Sequence, residues 1–290
     1  MKTLLPLFLA AVPFVSFPQD TRPGPRLMGI IEVENLKLAV LEDMSPPSQT
    51  GREILLEEGQ RDGGIELVEI HSAKGTVTAK VAGESDDRVL GFTNQNHFAD
   101  GSFGSLVLED VGIQTVLQLF GEFSGRTLLQ HPGLPALKFT ITSSVTNRTA
   151  AAQVLQSALV EKQIAVVLDG EKFALIAPKA QASTLKPRSS QIQAASLKPS
   201  GAELIPKGSV VFMGARTAQV LGIYVELRGD KLDRDAPLPP KVLDLVYLRM
   251  GTALSKEELL YALETLIGWN GIKVVPSGNG LVKAVSALPE

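Results

Sequence analysis

The chain contains no cysteine. That excludes disulfides, zinc–thiolate sites, a Cys nucleophile and a lipoprotein anchor. Aromatic residues are also scarce, at 5% of the 290 residues, with one Trp and three Tyr. An aromatic-lined carbohydrate groove or a stacking platform for bases has little to build on. Positive charge is not in excess either: 28 Lys and Arg stand against 31 Asp and Glu. A surface that neutralises nucleic-acid phosphates needs the opposite balance, so no nucleic-acid partner is expected. The three histidines, His71, His97 and His131, are scattered, with no HExxH or paired spacing. They offer no metal site. No GxSxG elbow, Walker loop or GxGxxG occurs, so nucleophilic hydrolysis and nucleotide binding have no anchor. Acid pairs such as Glu57-Glu58, Asp86-Asp87 and Glu257-Glu258 fall on turns or exposed faces, where solvation explains them. The expectation is a protein that is not an enzyme and carries no cofactor or metal.

What is present is a hydrophobic share of 44% with 20% charge, enough to bury a core. Residues 1–18, MKTLLPLFLAAVPFVSFP, place one Lys before a short apolar run broken by Pro6 and Pro13. A spanning helix needs roughly 20 apolar residues without such interruptions. A cleaved secretory signal fits better, with an uncleaved anchor as the alternative. The remaining chain is then expected outside the cytoplasm, in the periplasm, and at the membrane only through partners.

Residues 26–95 form the first expected unit. Short alternating runs such as LMGIIEV, KLAVLE and IELVEIHS are separated by turn residues such as Asp62-Gly63-Gly64. Six short strands without a helix of three turns suggest a small all-β barrel or sandwich. Between Thr21 and Asp100 this region holds eight basic and 14 acidic residues.

Residues 104–178 form the second unit. Leu106 to Leu108 begin it as a strand. Ile113, Val116, Leu117 and Phe120 then mark one face of a helix over 112–124, and Gly125 ends it. A strand over 137–142 leads to a second helix, capped by Asn147 and striped by Ala151, Val154, Leu155, Ala158 and Leu159. Asn147-Arg148-Thr149 matches a glycosylation triplet, but the cap explains it. A hairpin turning at Asp169-Gly170 closes the unit. Residues 179–203 read as an unstructured linker, rich in Ala, Ser, Gln and Pro.

Residues 204–288 repeat the second unit. Thr217, Val220, Leu221, Tyr224 and Gly229 match Ile113, Val116, Leu117, Phe120 and Gly125 at an offset of 104. Leu259, Ala262, Leu263, Leu266 and Ile267 match the second helix stripe at an offset of 108, which implies four extra residues between the helices. Ser255 and Glu258 form a capping box. Trp269 falls at the end of the second helix, where packing explains it. The fold class is therefore α+β: a small β-unit followed by two tandem units of strand, helix, strand, strand, helix and hairpin.

That order and its residues carry a resemblance. FGEFSGRTLLQ with AAQVLQSALVEKQIAVVLDGEKFALIAP, and YVELRGDKL with EELLYALETLIGWNGIKVVPSGNGLVKAV, resemble the short N-terminal domains of secretins, also found before TonB-dependent receptors. Unit two departs from that pattern at Lys162-Gln163, where a Gly-containing turn is usual. The first unit is similar to the homology-region domain of type II secretion protein C, through Leu27, Gly29, Ala39, Gly59, Gly64, Ile70, Val77 and Gly83. The sequence carries neither the amphipathic strands of a secretin gate nor a receptor barrel. The resemblance thus implies a periplasmic adaptor or scaffold of a type II secretion or type IV pilus-like machine. Its implied partners are a separately encoded secretin or other secretion and pilus components. The alternative is an envelope sensor or docking protein of a TonB-type signalling system. The outer strands of the first unit, at Leu27, Gly29 and Ile31, are the expected partner contact.

Overall fold

The computed structural model describes residues 24–43, 51–92, 104–185, 187–188, 204–233, 235–239, 244–278 and 280–287. The signal segment 1–18, most of the expected linker and His97 lie outside the described residues.

The first unit gives strands β1 (Arg26–Val33), β2 (Leu36–Asp43), β3 (Arg52–Glu57), β4 (Arg61–Asp62), β5 (Ile65–His71), β6 (Thr76–Val81) and β7 (Arg88–Gly91). The next gives β8 (Gly104–Gly112), α1 (Ile113–Ser124), β9 (Thr127–Gln130), β10 (Lys138–Val145), α2 (Arg148–Glu161), β11 (Ile164–Asp169) and β12 (Phe173–Pro178). The last gives β13 (Val211–Arg216), α3 (Thr217–Arg228), β14 (Lys231–Leu232), β15 (Leu245–Arg249), α4 (Lys256–Trp269), β16 (Ile272–Gly278) and β17 (Leu281–Ser286). The protein is mixed α+β.

The two repeats agree in pairing as well as in order. β8 pairs antiparallel with β10, and β13 with β15. β12 lies parallel to β9 with Phe173 opposite Thr127, and β17 parallel to β14 with Leu281 opposite Lys231. These are the same positions at the offsets of 108 and 104. Both first strands carry a bulge at one place. Asp110 and its equivalent Gly214 adopt φ of 53° and 82°, a left-handed conformation that Asp tolerates and Gly favours. Gly125 and Gly229 end α1 and α3 in the left-handed region. Asn147 caps α2 through the Ala150 N–H, and Ser255 with Glu258 caps α4. Three of the four extra residues precede β15, since Val246 pairs with Ala215 as Phe139 pairs with Val111.

The sheets do not respect the boundaries between units. One five-stranded sheet runs β10-β8-β1-β2-β3, and another β11-β12-β9-β15-β13. The smaller sheets are β4-β5-β6-β7 and β14-β17-β16. Among the described residues no sheet closes into a barrel. Instead β1, β2 and β3 face β5, β6 and β7 across a core of Leu27, Ile30, Leu41, Ile65, Leu67 and Val77. A second core joins Met28, Ile31, Leu106 and Leu108 to α1, α2 and the near face of β12 at Ala174 and Ile176. The far face of β12, at Phe173 and Leu175, joins α3, α4 and Ile272 in a third core. The expected linker starts as a 3₁₀ helix over Lys179–Thr184, and Leu185 is buried in that third core.

Candidate protein-interaction site

β1 is central, held by β2 on one edge and β8 on the other. Leu27, Gly29 and Ile31, the residues expected to meet a partner, are all buried. A Cβ on Gly29 would lie 2.7 Å from Leu108 Cδ2 and 3.0 Å from the Val107 carbonyl oxygen. A partner could reach these three residues only by opening the sheet. LMGIIEV held the signal for this: it is apolar on both faces, the pattern of a strand covered twice.

The junctions between units are polar as well as apolar. Glu53 on β3 accepts the Gly112 N–H at 2.7 Å and the Thr115 hydroxyl at 2.5 Å, and pairs with Lys138 at 3.0 Å. Asp169, in the first repeat's hairpin, accepts the Tyr261 hydroxyl of α4. Both groups are buried. Burial, then the Asp169 carboxylate, pushes the Tyr261 phenol well above its usual range. Lys172 reaches the buried carboxylate of Glu258 at 2.7 Å. His131 packs on Trp269 with ring centroids 5.6 Å apart. Burial holds the His131 imidazole below its ordinary value, and its Nδ1 accepts the Gly133 N–H at 2.9 Å. Trp269 thus packs at its helix end, as expected. β9 and β15 meet at Leu129–Leu248 and Leu128–Arg249, where Gly251 donates its N–H to Thr127 Oγ1 at 3.1 Å.

Two concave sites lie in the second repeat's neighbourhood. The cleft between α1 and β15, lined by Gln118, Arg126 and Tyr247, encloses about 30 Å³, room for little more than a water. The groove beside α4 encloses about 400 Å³ between Leu175, Tyr224, Trp269 and Lys273, a size at the low end of ligand pockets. Its Arg228 is already engaged by Asp230 at 2.8 Å and by the Tyr224 ring. Glu264 is the one carboxylate among its described lining residues. Among the described residues, no group of three His, Asp or Glu is placed to hold a metal ion. His71 lies 3.4 Å from Glu69 and remote from His131 in the chain.

The accessible binding features are sheet edges. Among the described residues, β10, β3, β11, β13, β14, β16, β4 and β7 each pair on one side only. β7 and β11 each expose one large apolar residue, Val89 and Leu168, whereas β13 and its neighbour β15 expose two on one face. Val211 is 46% exposed and Leu245 47% exposed. Backbone donors and acceptors on an open edge, flanked by apolar side chains, are what strand addition uses. No signal within VFMGAR marks this site; it emerges only when the two repeats are compared.

No family model matches the chain, and no curated protein matches it.

Proposed function

We propose that the protein is a non-catalytic periplasmic adaptor of a type II secretion or type IV pilus-like machine, binding a separately encoded secretin. In this reading, residues 26–95 are a small β-domain, and 104–178 and 204–288 are tandem domains of the secretin N-terminal kind. The observation that carries the reading is the duplicated unit itself. Two copies share element order, strand register and bulge position, and each extends its sheet with a strand from a neighbouring unit. A module that already recruits strands within its own chain is suited to recruiting them from another. The resemblance of the repeat residues to secretin N-terminal domains supplies the kind of machine.

The test is affinity purification of the protein from cross-linked envelopes of its host, read by mass spectrometry. Recovery of a secretin with inner-membrane secretion or pilus components is the expected outcome. Recovery of a membrane regulator or a TonB-dependent receptor in their place would transfer the protein to envelope signalling. Deleting residues 26–90 is a poor companion experiment. It removes three strands of a five-stranded sheet and takes Met28, Ile31 and Val33 from the core beneath α1. Loss of binding would then report unfolding. Single substitutions on exposed edges avoid that ambiguity.

A further inference from the structure

We propose that the open edge of β13 is a docking site for an antiparallel strand of another protein, in the register that β1 adopts on β8. The site is defined by comparing the two repeats, whatever machine the protein serves. β8 and β13 are equivalent at the offset of 104. In the first repeat the edge of β8 is filled: Gly29 lies opposite Leu108, Ile30 opposite Val107, Ile31 opposite Leu106 and Glu32 opposite Ser105. The equivalent positions in the second repeat are Phe212, Val211, Val210 and Ser209. Among the described residues no strand pairs there.

From Val210 onward the backbone is oriented for it, while Ser209 lies in a turn and donates its N–H to the Pro206 carbonyl at 3.2 Å. The Met250 N–H donates to the Val210 carbonyl at 3.2 Å, so the Val210 groups face β15. Successive residues of a strand point their N–H and C=O to opposite edges. The N–H and C=O of Val211 therefore face the open side, as those of Val107 face β1.

The side chains support the same assignment. Val107 is 2% exposed because the first unit covers it, whereas Val211 is 46% exposed. On the neighbouring strand, Lys138, Thr140 and Thr142 of β10 are replaced by Leu245, Tyr247 and Arg249 of β15. The uncovered face has thus become more apolar in the repeat that lacks a covering unit. Such a patch beside an open edge marks an interaction site. The strand that fits is extended and apolar. It carries a glycine opposite Phe212, as Gly29 lies opposite Leu108, and a branched apolar residue opposite Val211, where Ile30 faces Val107.

The probe is a synthetic peptide with the sequence of residues 25–34, PRLMGIIEVE, carrying Lys tails for solubility. It is added to the full chain, and amide exchange is followed by NMR. The expected result is saturable slowing of exchange at Val211, by tenfold or more. Among the described residues no strand takes the Val211 N–H; Val211→Pro removes that donor and should abolish saturable peptide binding measured by calorimetry. Val211→Lys should weaken binding at least tenfold with an unchanged melting temperature, and it serves alone if the proline variant fails to fold. A peptide with Gly29→Val should not bind. The proposal is overturned if Val211 gains no protection, if the peptide instead perturbs Val107 by displacing β1, or if peptide binding measured by calorimetry survives both Val211 variants. It is also overturned if Val211 is already protected by self-association of the chain without peptide.

Discussion

The carboxylate of Glu53 caps α1, which begins just after Gly112, accepting the Gly112 N–H with both oxygens at 2.7 and 2.9 Å. α1 has no side-chain cap of its own, so a residue of β3 supplies it from the neighbouring unit. A negative charge at a helix N-terminus is favourable, and the remaining donors, Thr115 and Lys138, complete the set. Glu53→Ala is expected to lower stability by about 1–3 kcal/mol, the usual cost of leaving part-buried donors without an acceptor. Glu53→Gln should lose less, because one oxygen remains. Urea denaturation of the two variants against the parent measures both.

The Tyr261–Asp169 pair gives a second expectation. The chain has three tyrosines, and Tyr261 is the one whose ionisation burial and the Asp169 carboxylate push upward. An ultraviolet titration of the parent against Tyr261→Phe should place the Tyr261 phenol above the ordinary value of 10.0. A folded-state value above the unfolded one means the native state holds the proton longer. This contribution to stability is therefore full below the ordinary value of 10.0 and is lost as pH rises beyond it. Tyr261→Phe should cost about 1–3 kcal/mol by depriving buried Asp169 of a donor.

His131 works in the opposite pH range. Its imidazole is held below the ordinary 6.5 by burial, so between the two values the unfolded chain binds more protons than the native one. Stability is fully present above 6.5 and falls as pH drops through the native value. An NMR titration of His131 gives that value directly. Trp269 is the single tryptophan and touches the same ring, so its emission should change with the same midpoint. A midpoint above 6.5 would contradict the assignment.

Gly251 tests the seam between the repeats. A Cβ there would sit 2.1 Å from the Arg126 carbonyl oxygen, which is backbone and cannot swing aside. Gly251→Ala should destabilise the β9–β15 junction by about 1–3 kcal/mol, the range for overpacked sites. Differential scanning calorimetry should show a lower transition, with broadening if the repeats begin to melt apart.

The helices were legible because a stripe at 3.6-residue spacing is local. Ile113, Val116, Leu117 and Phe120 predict α1, and Asn147 and Ser255 predict the starts of α2 and α4 by chemistry within three residues. The bulge becomes legible once the repeats are aligned, because Asp110 and Gly214 are both residues that tolerate positive φ. Long-range pairing was not. The short apolar runs LMGIIEV and VLEDV mark strands but do not say that β1 joins β8 across more than seventy residues. Nothing in REILLE separates Glu53, a cap, from its exposed neighbour Glu57. Nothing in RMGTA distinguishes Gly251 from a turn glycine. Those roles depend on what the fold brings opposite each residue, which local pattern does not encode.

The three cores have a direction. Among the described residues, the core beneath α1 and α2 draws only on residues from Met28 to Ile176, whereas the core of the second repeat includes Leu129, Phe173, Leu175 and Ala177 of the first. The first repeat is a template for the second, and the second is not a template for the first. A chain emerging amino terminus first therefore meets each surface before the segment that must settle on it. Its folding can keep pace with synthesis, one unit laid upon the last, and a chain interrupted late would leave the apolar far face of β12 uncovered.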